Sequence, residues 1–151
     1  MKHQHHVLVV DDSVDHRKIL QQTLVEEDIS VDMAKNSQEA LDFLSASKYD
    51  VVLLDLVLPD MSGLDLLETI QNNYPMVPVI VMSAFGNEKD AVSSIKKGAS
   101  DFITKSVGFE LRIADTVKNT IKNISLKKQI DEAQERYEQI YHAANDFMFT
   151  L

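Results

Sequence analysis

Residues 51–54, Val-Val-Leu-Leu, form an unbroken apolar run that ends in Asp55, and the chain reaches a turn at Pro59 soon afterwards. A run without polar alternation fits a strand covered on both faces, as in a parallel sheet lying between layers of helix. A carboxylate delivered at the end of such a strand is costly to bury unless something nearby pairs with it. That partner has to come from other segments.

The rest of the chain supplies the sheet. Apolar runs at 6–10, 30–34, 77–82 and 100–104 read as four further strands, and 77–82 is as continuously apolar as 51–54. Helical spacing fills the intervals. It spans 14–27 through Val14, Ile19, Leu20 and Leu24, a second stretch opening at Ser37 with Glu39 as a weak capping pattern, then 64–73 and 88–99. Gly98 stops the fourth helix, and a fifth begins near Phe109. Strand and helix alternate five times, so the fold class is α/β, a three-layer sandwich around a parallel sheet. In such sheets the active groups lie beyond the carboxyl ends of the strands.

Composition narrows the partners. The 151 residues are 44% hydrophobic and 26% charged, with net charge -9, which disfavours nucleic acid and anionic membranes as partners. Cysteine is absent, removing disulfides, thiolate catalysis and sulfur-ligated zinc. The apolar runs are too short to span a bilayer, and a cytoplasmic location is expected. His3, His5 and His6 belong to a polar start predicted to be frayed rather than metal-binding.

At the strand ends stand Asp11 and Asp12, Asp55, Ser83 with Ala84, and Lys105 after Thr104. Three carboxylates in one crevice repel and call for a cation. With neither histidine nor cysteine among these residues the ligand set is all oxygen, which suits Mg²⁺. Lys105 adds a fixed positive charge and Ser83 a hydroxyl donor. Such a site can transfer a phosphoryl group onto an oxygen, with Asp55 as nucleophile, Asp12 on the metal directly and Asp11 directly or through water. Ala84 is small enough to leave room for the incoming group.

"VLVVDDS", "VVLLDLVLPDMSG", "VIVMSAFG" and "DFITKS" together resemble the receiver domain of two-component response regulators, over about residues 5–124. The resemblance implies a flavodoxin-like, doubly wound five-stranded sheet of order 2-1-3-4-5, an order known for a chemotaxis receiver. It implies that Asp55 accepts a phosphoryl group from a histidine of a partner kinase or phosphotransfer protein. It makes Asp11 and Asp12 the Mg²⁺ pair, with Asp55 and the Val57 carbonyl completing the protein ligands. Ser83 then moves toward the phosphoryl group while Phe102 turns inward as an aromatic switch, a shift between two packings.

Two departures stand out. Serine, Ser106, follows Lys105 where the family usually has a cis-proline, and a cis bond before serine is costly, so a trans bond or an altered loop is expected. Val57 and Phe85 place apolar side chains at positions that influence water attack in the family, predicting slow self-hydrolysis.

From about Ile113 a helix without proline or glycine carries the stripe Ile113, Val117, Ile121 and Ile124. After a phase skip come Leu126, Ile130, Ala133, Tyr137, Ile140 and Ala144. Residues 125–151 are therefore expected to form a helical linker whose seam pairs two chains, the other reading being a helix packed back on its own domain. "DEAQERYEQIYHAANDFMFTL" resembles the helical lead and opening of a PAS sensory domain, with a strand expected to begin in "NDFMFTL" and a longer parent protein implied. A histidine kinase or cyclic-dinucleotide synthase output is compatible with that parent. No DNA-reading helix is evident.

Three rivals remain. A receiver-like interaction domain would have lost its chemistry through the Ser106 loop. A Mg²⁺ phosphohydrolase would need a general acid and a cap. A flavodoxin-like cofactor binder would need a phosphate loop where "DDSVDH" stands.

Overall fold

The computed structural model describes residues 5–149. Five parallel strands, β1 (His5–Val10), β2 (Ile29–Ala34), β3 (Val51–Asp55), β4 (Val79–Ser83) and β5 (Asp101–Thr104), are ordered β2-β1-β3-β4-β5. Helices α1 (Val14–Glu26), α2 (Ser37–Ala46), α3 (Gly63–Asn73) and α4 (Glu88–Lys96) connect them, and α5 (Phe109–Phe149) follows.

Burial explains the apolar patterns. Every residue of β3 and β4 is buried, whereas the edge strands β2 and β5 are only partly so. On one side of the sheet, Leu8, Val52, Leu54 and Val81 form a core with Ala40 and Leu44 of α2 and Leu66, Leu67 and Ile70 of α3. By strand parity Val7, Val9, Leu53 and Met82 face the other side, the side left for Leu20 and Leu24 of α1 and Ile113 and Val117 of α5, all fully buried. The expected three-layer order is the one observed.

The helix ends refine the sequence reading. Asn36, not Ser37, is the N-cap of α2: its side chain accepts from the Glu39 N–H at 2.8 Å, while Glu39 Oε1 reaches back to the Lys35 N–H at 3.0 Å. Glu39 is thus three residues after the cap, the spacing of a capping box, with its return bond falling on the N–H one residue before the cap. Gly98, at φ +103°, ends α4 as expected. Its N–H donates to the Ile95 carbonyl, and that of Ala99 to the Ser94 carbonyl, which is the Schellman pattern of bonds.

Two expectations for the termini change. His5 and His6 are not frayed but open β1, where His6 Nε2 lies 2.9 Å from Asp32 Oδ2; His3 lies outside the described residues. The strand expected to begin at Asn145 does not form, because α5 continues through Phe149. A lone strand would leave its backbone groups unpaired, whereas a helix satisfies them internally. Thr150 and Leu151 lie outside the described residues.

The chain divides into a compact unit ending at Thr120 and a helical unit from Ile121. In the second unit Ile130, Tyr137 and Ile140 are exposed. Among the described residues, no helix is long and apolar enough to cross a membrane.

Candidate functional site at the carboxyl ends of the strands

The sheet brings the separated acids together. Asp55 is the last residue of β3, and Asp11 and Asp12 follow β1 directly. Carboxylate oxygens of the three lie within 4.8 Å of one another. Asp11 is fully buried, Asp55 is 6% exposed and Asp12 is exposed. Lys105 reaches the cluster from the end of β5, its Nζ 2.7 Å from Asp55 Oδ2 and 2.5 Å from Asp11 Oδ2. The buried carboxylate has an ammonium, but shares it.

The formal charge is therefore out of balance. Three carboxylates against one ammonium leave an excess of two negative charges, which a single divalent cation offsets. Burial pushes the Asp55 carboxyl above its ordinary range; the Lys105 hydrogen bond and the Val57 N–H, at 3.1 Å from Oδ1, pull it the other way. The donor set is oxygen throughout and fits Mg²⁺.

Local backbone fixes each group. Asp11 Oδ1 accepts the Ser13 N–H at 2.9 Å and the Asp11 carbonyl accepts from Arg17 at 2.7 Å, so α1 begins locked onto the acid pair. Gly63 begins α3 against the strand tip. A Cβ there would lie 2.4 Å from Leu56 Cα and 2.6 Å from the Asp55 carbonyl oxygen, so only glycine permits this approach. Asp60, at the tip of the same loop, accepts the N–H groups of Ser37 and Gln38 at 3.0 and 3.1 Å. Those bonds hold its carboxyl below the usual range.

Ser83 is buried, and its hydroxyl engages its own loop, donating to the Phe85 carbonyl at 2.9 Å and accepting the Phe85 N–H at 3.2 Å. It is held away from the acid cluster's hydrogen bonds. Phe102 is partly buried and packs against the core of the α2–α3 side. Ala84 is exposed, and Val57 and Phe85 are largely so, at 64% and 74%.

The loop after Lys105 takes the trans course; no peptide bond among the described residues is cis. Lys105 N–H donates to the Ser83 carbonyl at 2.8 Å, and Arg112 bridges the Thr104 carbonyl and the Ser106 hydroxyl at 2.8 and 2.5 Å. Replacing proline by Ser106 does not keep Lys105 from Asp55.

Sequence reasoning missed His16. Its Nδ1 lies 3.1 Å from Lys105 Nζ and 3.6 Å from Asp11 Oδ2. The available signal was its place as the third residue of α1, since helical side chains lean back over the turn before them and here that turn carries the acids. Arg17 and Asp60 were missed in their bracing roles for a different reason: their partners are backbone atoms.

Residues 7–118 match the response regulator receiver domain family. The response regulator protein PilR of Pseudomonas aeruginosa is 41% identical over 100 residues, 66% of this chain and 22% of that protein. The regulatory protein LuxO of Vibrio cholerae is 31% identical over 131 residues, 86% of this chain and 29% of that one. The chain thus spans less than a third of these curated relatives. Among solved structures, the receiver domain of NtrX from Brucella abortus superposes with a TM-score of 0.73 at 33% identity, covering 77% of this chain and 98% of that one.

Proposed function

The chain belongs to the response regulator receiver family, and on that premise we propose that Asp55 is its phosphoacceptor, loaded from a histidine of a partner kinase or phosphotransfer protein in the cytoplasm. The observation that carries this reading is the Lys105 ammonium 2.7 Å from Asp55 Oδ2, inside a cluster of three acids. A carboxylate oxygen of Asp55 forms the bond to phosphorus as the bond from phosphorus to the donor imidazole nitrogen breaks, the electron pair leaving with the nitrogen. Lys105 donates to the phosphoryl oxygens as the carboxylate it held becomes an acyl phosphate. Asp11, Asp12, Asp55 and the Val57 carbonyl would hold Mg²⁺, which when bound supplies positive charge against the phosphoryl oxygens.

Ser83 is the group to exchange partners, giving up the Phe85 carbonyl for the phosphoryl group, with Phe102 repacking behind it. Val57 and Phe85 frame the mouth and slow the attack of water. Beyond the receiver at 5–124, the helix of 125–149 pairs two chains along Ile130, Tyr137 and Ile140 and leads toward a PAS-type region. Support for that part is the exposed apolar stripe and the sequence pattern. The interaction domain without phosphorylation is disfavoured by the reach of Lys105, since its premise was a lysine misplaced by Ser106.

The test is transfer of labelled phosphoryl from acetyl phosphate in Mg²⁺. Wild type should take up label that alkali releases and that decays slowly, and Asp55→Asn should take up none. An unlabelled wild type, or a labelled Asp55→Asn, overturns the proposal.

A further inference from the structure

An ammonium has three N–H bonds, and Lys105 has three partners for them: Asp11 Oδ2, Asp55 Oδ2 and His16 Nδ1. Its side chain is 3% exposed, so water does little to hold it. The first two partners are the groups that phosphoryl transfer engages elsewhere, Asp55 with phosphorus and Asp11 with the cation. His16 is the one partner left outside that chemistry. A hydrogen bond to an ammonium, which only donates, requires the lone pair on Nδ1 and therefore the ring proton on Nε2.

The backbone under the ring is capped, the His16 main-chain N–H donating to Ser13 Oγ at 3.3 Å in the first turn of α1, and the imidazole itself meets the Phe109 ring edge-on at 5.4 Å between centroids. Phe109 is buried at the start of α5. Arg112 pins the Thr104 carbonyl and the Ser106 hydroxyl on either side of Lys105, but a four-carbon stem lies between the Lys105 backbone and Nζ. Whatever fixes the ammonium must act at its end.

We propose that His16 is the positioning residue of Lys105, keeping the ammonium at the acceptor when Asp55 is converted from carboxylate to acyl phosphate. This rests on the phosphoacceptor reading and deepens it. When an Asp55 oxygen bonds to phosphorus and the donor's acetate leaves with the electron pair, the N–H that faced Oδ2 turns to a phosphoryl oxygen. No proton is transferred. With His16 in place the ammonium keeps an anchor that neither phosphorus nor the cation competes for; without it, that anchor is lost during the reaction.

His16→Leu and His16→Asn separate this from a packing role, because both place an atom where Nδ1 stands and only asparagine offers an acceptor there. The measurement is the rate of labelled phosphoryl uptake against acetyl phosphate concentration in saturating Mg²⁺, with thermal unfolding to verify the fold. His16→Leu should lower the maximal rate about tenfold with the half-saturating donor concentration little changed, and His16→Asn should stay within about threefold of wild type. Nitrogen NMR of the ring, above the ordinary histidine range of pH, should find Nδ1 unprotonated and Nε2 protonated. Leucine matching wild type, asparagine no better than leucine, or the opposite tautomer overturns the proposal. Wild type taking no label removes the phosphoacceptor reading itself, and is a different result from wild type labelled with variants unchanged.

Discussion

Asp55 and Asp60 lie on one short segment of chain and are pushed in opposite directions. Asp55, at the tip of β3, is driven up by burial, its shared ammonium only partly answering. Asp60, at the tip of the following loop, is drawn down by the Ser37 and Gln38 N–H groups at the start of α2. With Asn36 accepting from Glu39, the first three N–H groups of that helix are all satisfied. The surface acid has the donors it needs and serves as a brace. The buried acid has unmet charge, and unmet charge is what makes it available to a cation and to phosphorus.

Gly63 closes the loop that carries Asp60 back onto the tip of β3, so Gly63→Ala is the severest way to break the contrast. The new Cβ meets the backbone of Leu56 and Asp55, which cannot swing aside. Urea denaturation should show a loss of about 2–3 kcal/mol, and a cost near zero would mean the loop does not depend on that approach.

Asp55→Asn sharpens the contrast from the buried side. Without Mg²⁺ it should stabilise the fold by about 1 kcal/mol at neutral pH, through relief of the unpaired charge. Because burial raises the folded-state pKa of Asp55, its favourable contribution is full below the ordinary carboxylate value and is lost as pH rises through the raised one. The advantage of the variant should therefore be absent in acid and grow with pH. Adding Mg²⁺ should stabilise wild type more than the variant, by mass action on the folded state. A variant less stable than wild type at every pH would show that Lys105 fully offsets the charge.

Asp60→Asn is the smallest effect and has the opposite sign. Its folded-state pKa is lowered, so the stabilisation is present above the ordinary carboxylate value and disappears as pH falls through the lowered one. Wild type should melt slightly above the variant at neutral pH, and the two should converge in acid. A constant gap across pH would locate the effect in packing rather than in the charged cap.

Both acids are equally visible as letters, yet only Asp55 has a place that the sequence pattern dictates. Its signal was the apolar run ahead of it, which fixed a strand, and a strand fixes which end of the sheet its last residue reaches. Asp11, Asp12, Ser83 and Lys105 were legible by the same reasoning. Asp60 and Arg17 were not, because a bond to a backbone N–H or carbonyl leaves no mark on the partner's identity. The cap of α2 was displaced by one residue because Asn36 and Ser37 both suit that position, and the backbone angles chose between them.

Periodicity and strand-end chemistry were enough to dictate a parallel sheet with a crowded acidic edge, since side-chain alternation and burial are local properties of the chain. Tertiary packing alone decided how one ammonium is divided among Asp11, Asp55 and His16, and that Ser83 rests on its own loop. Those are matters of distances of about 3 Å between segments far apart in sequence, and no local pattern encodes them.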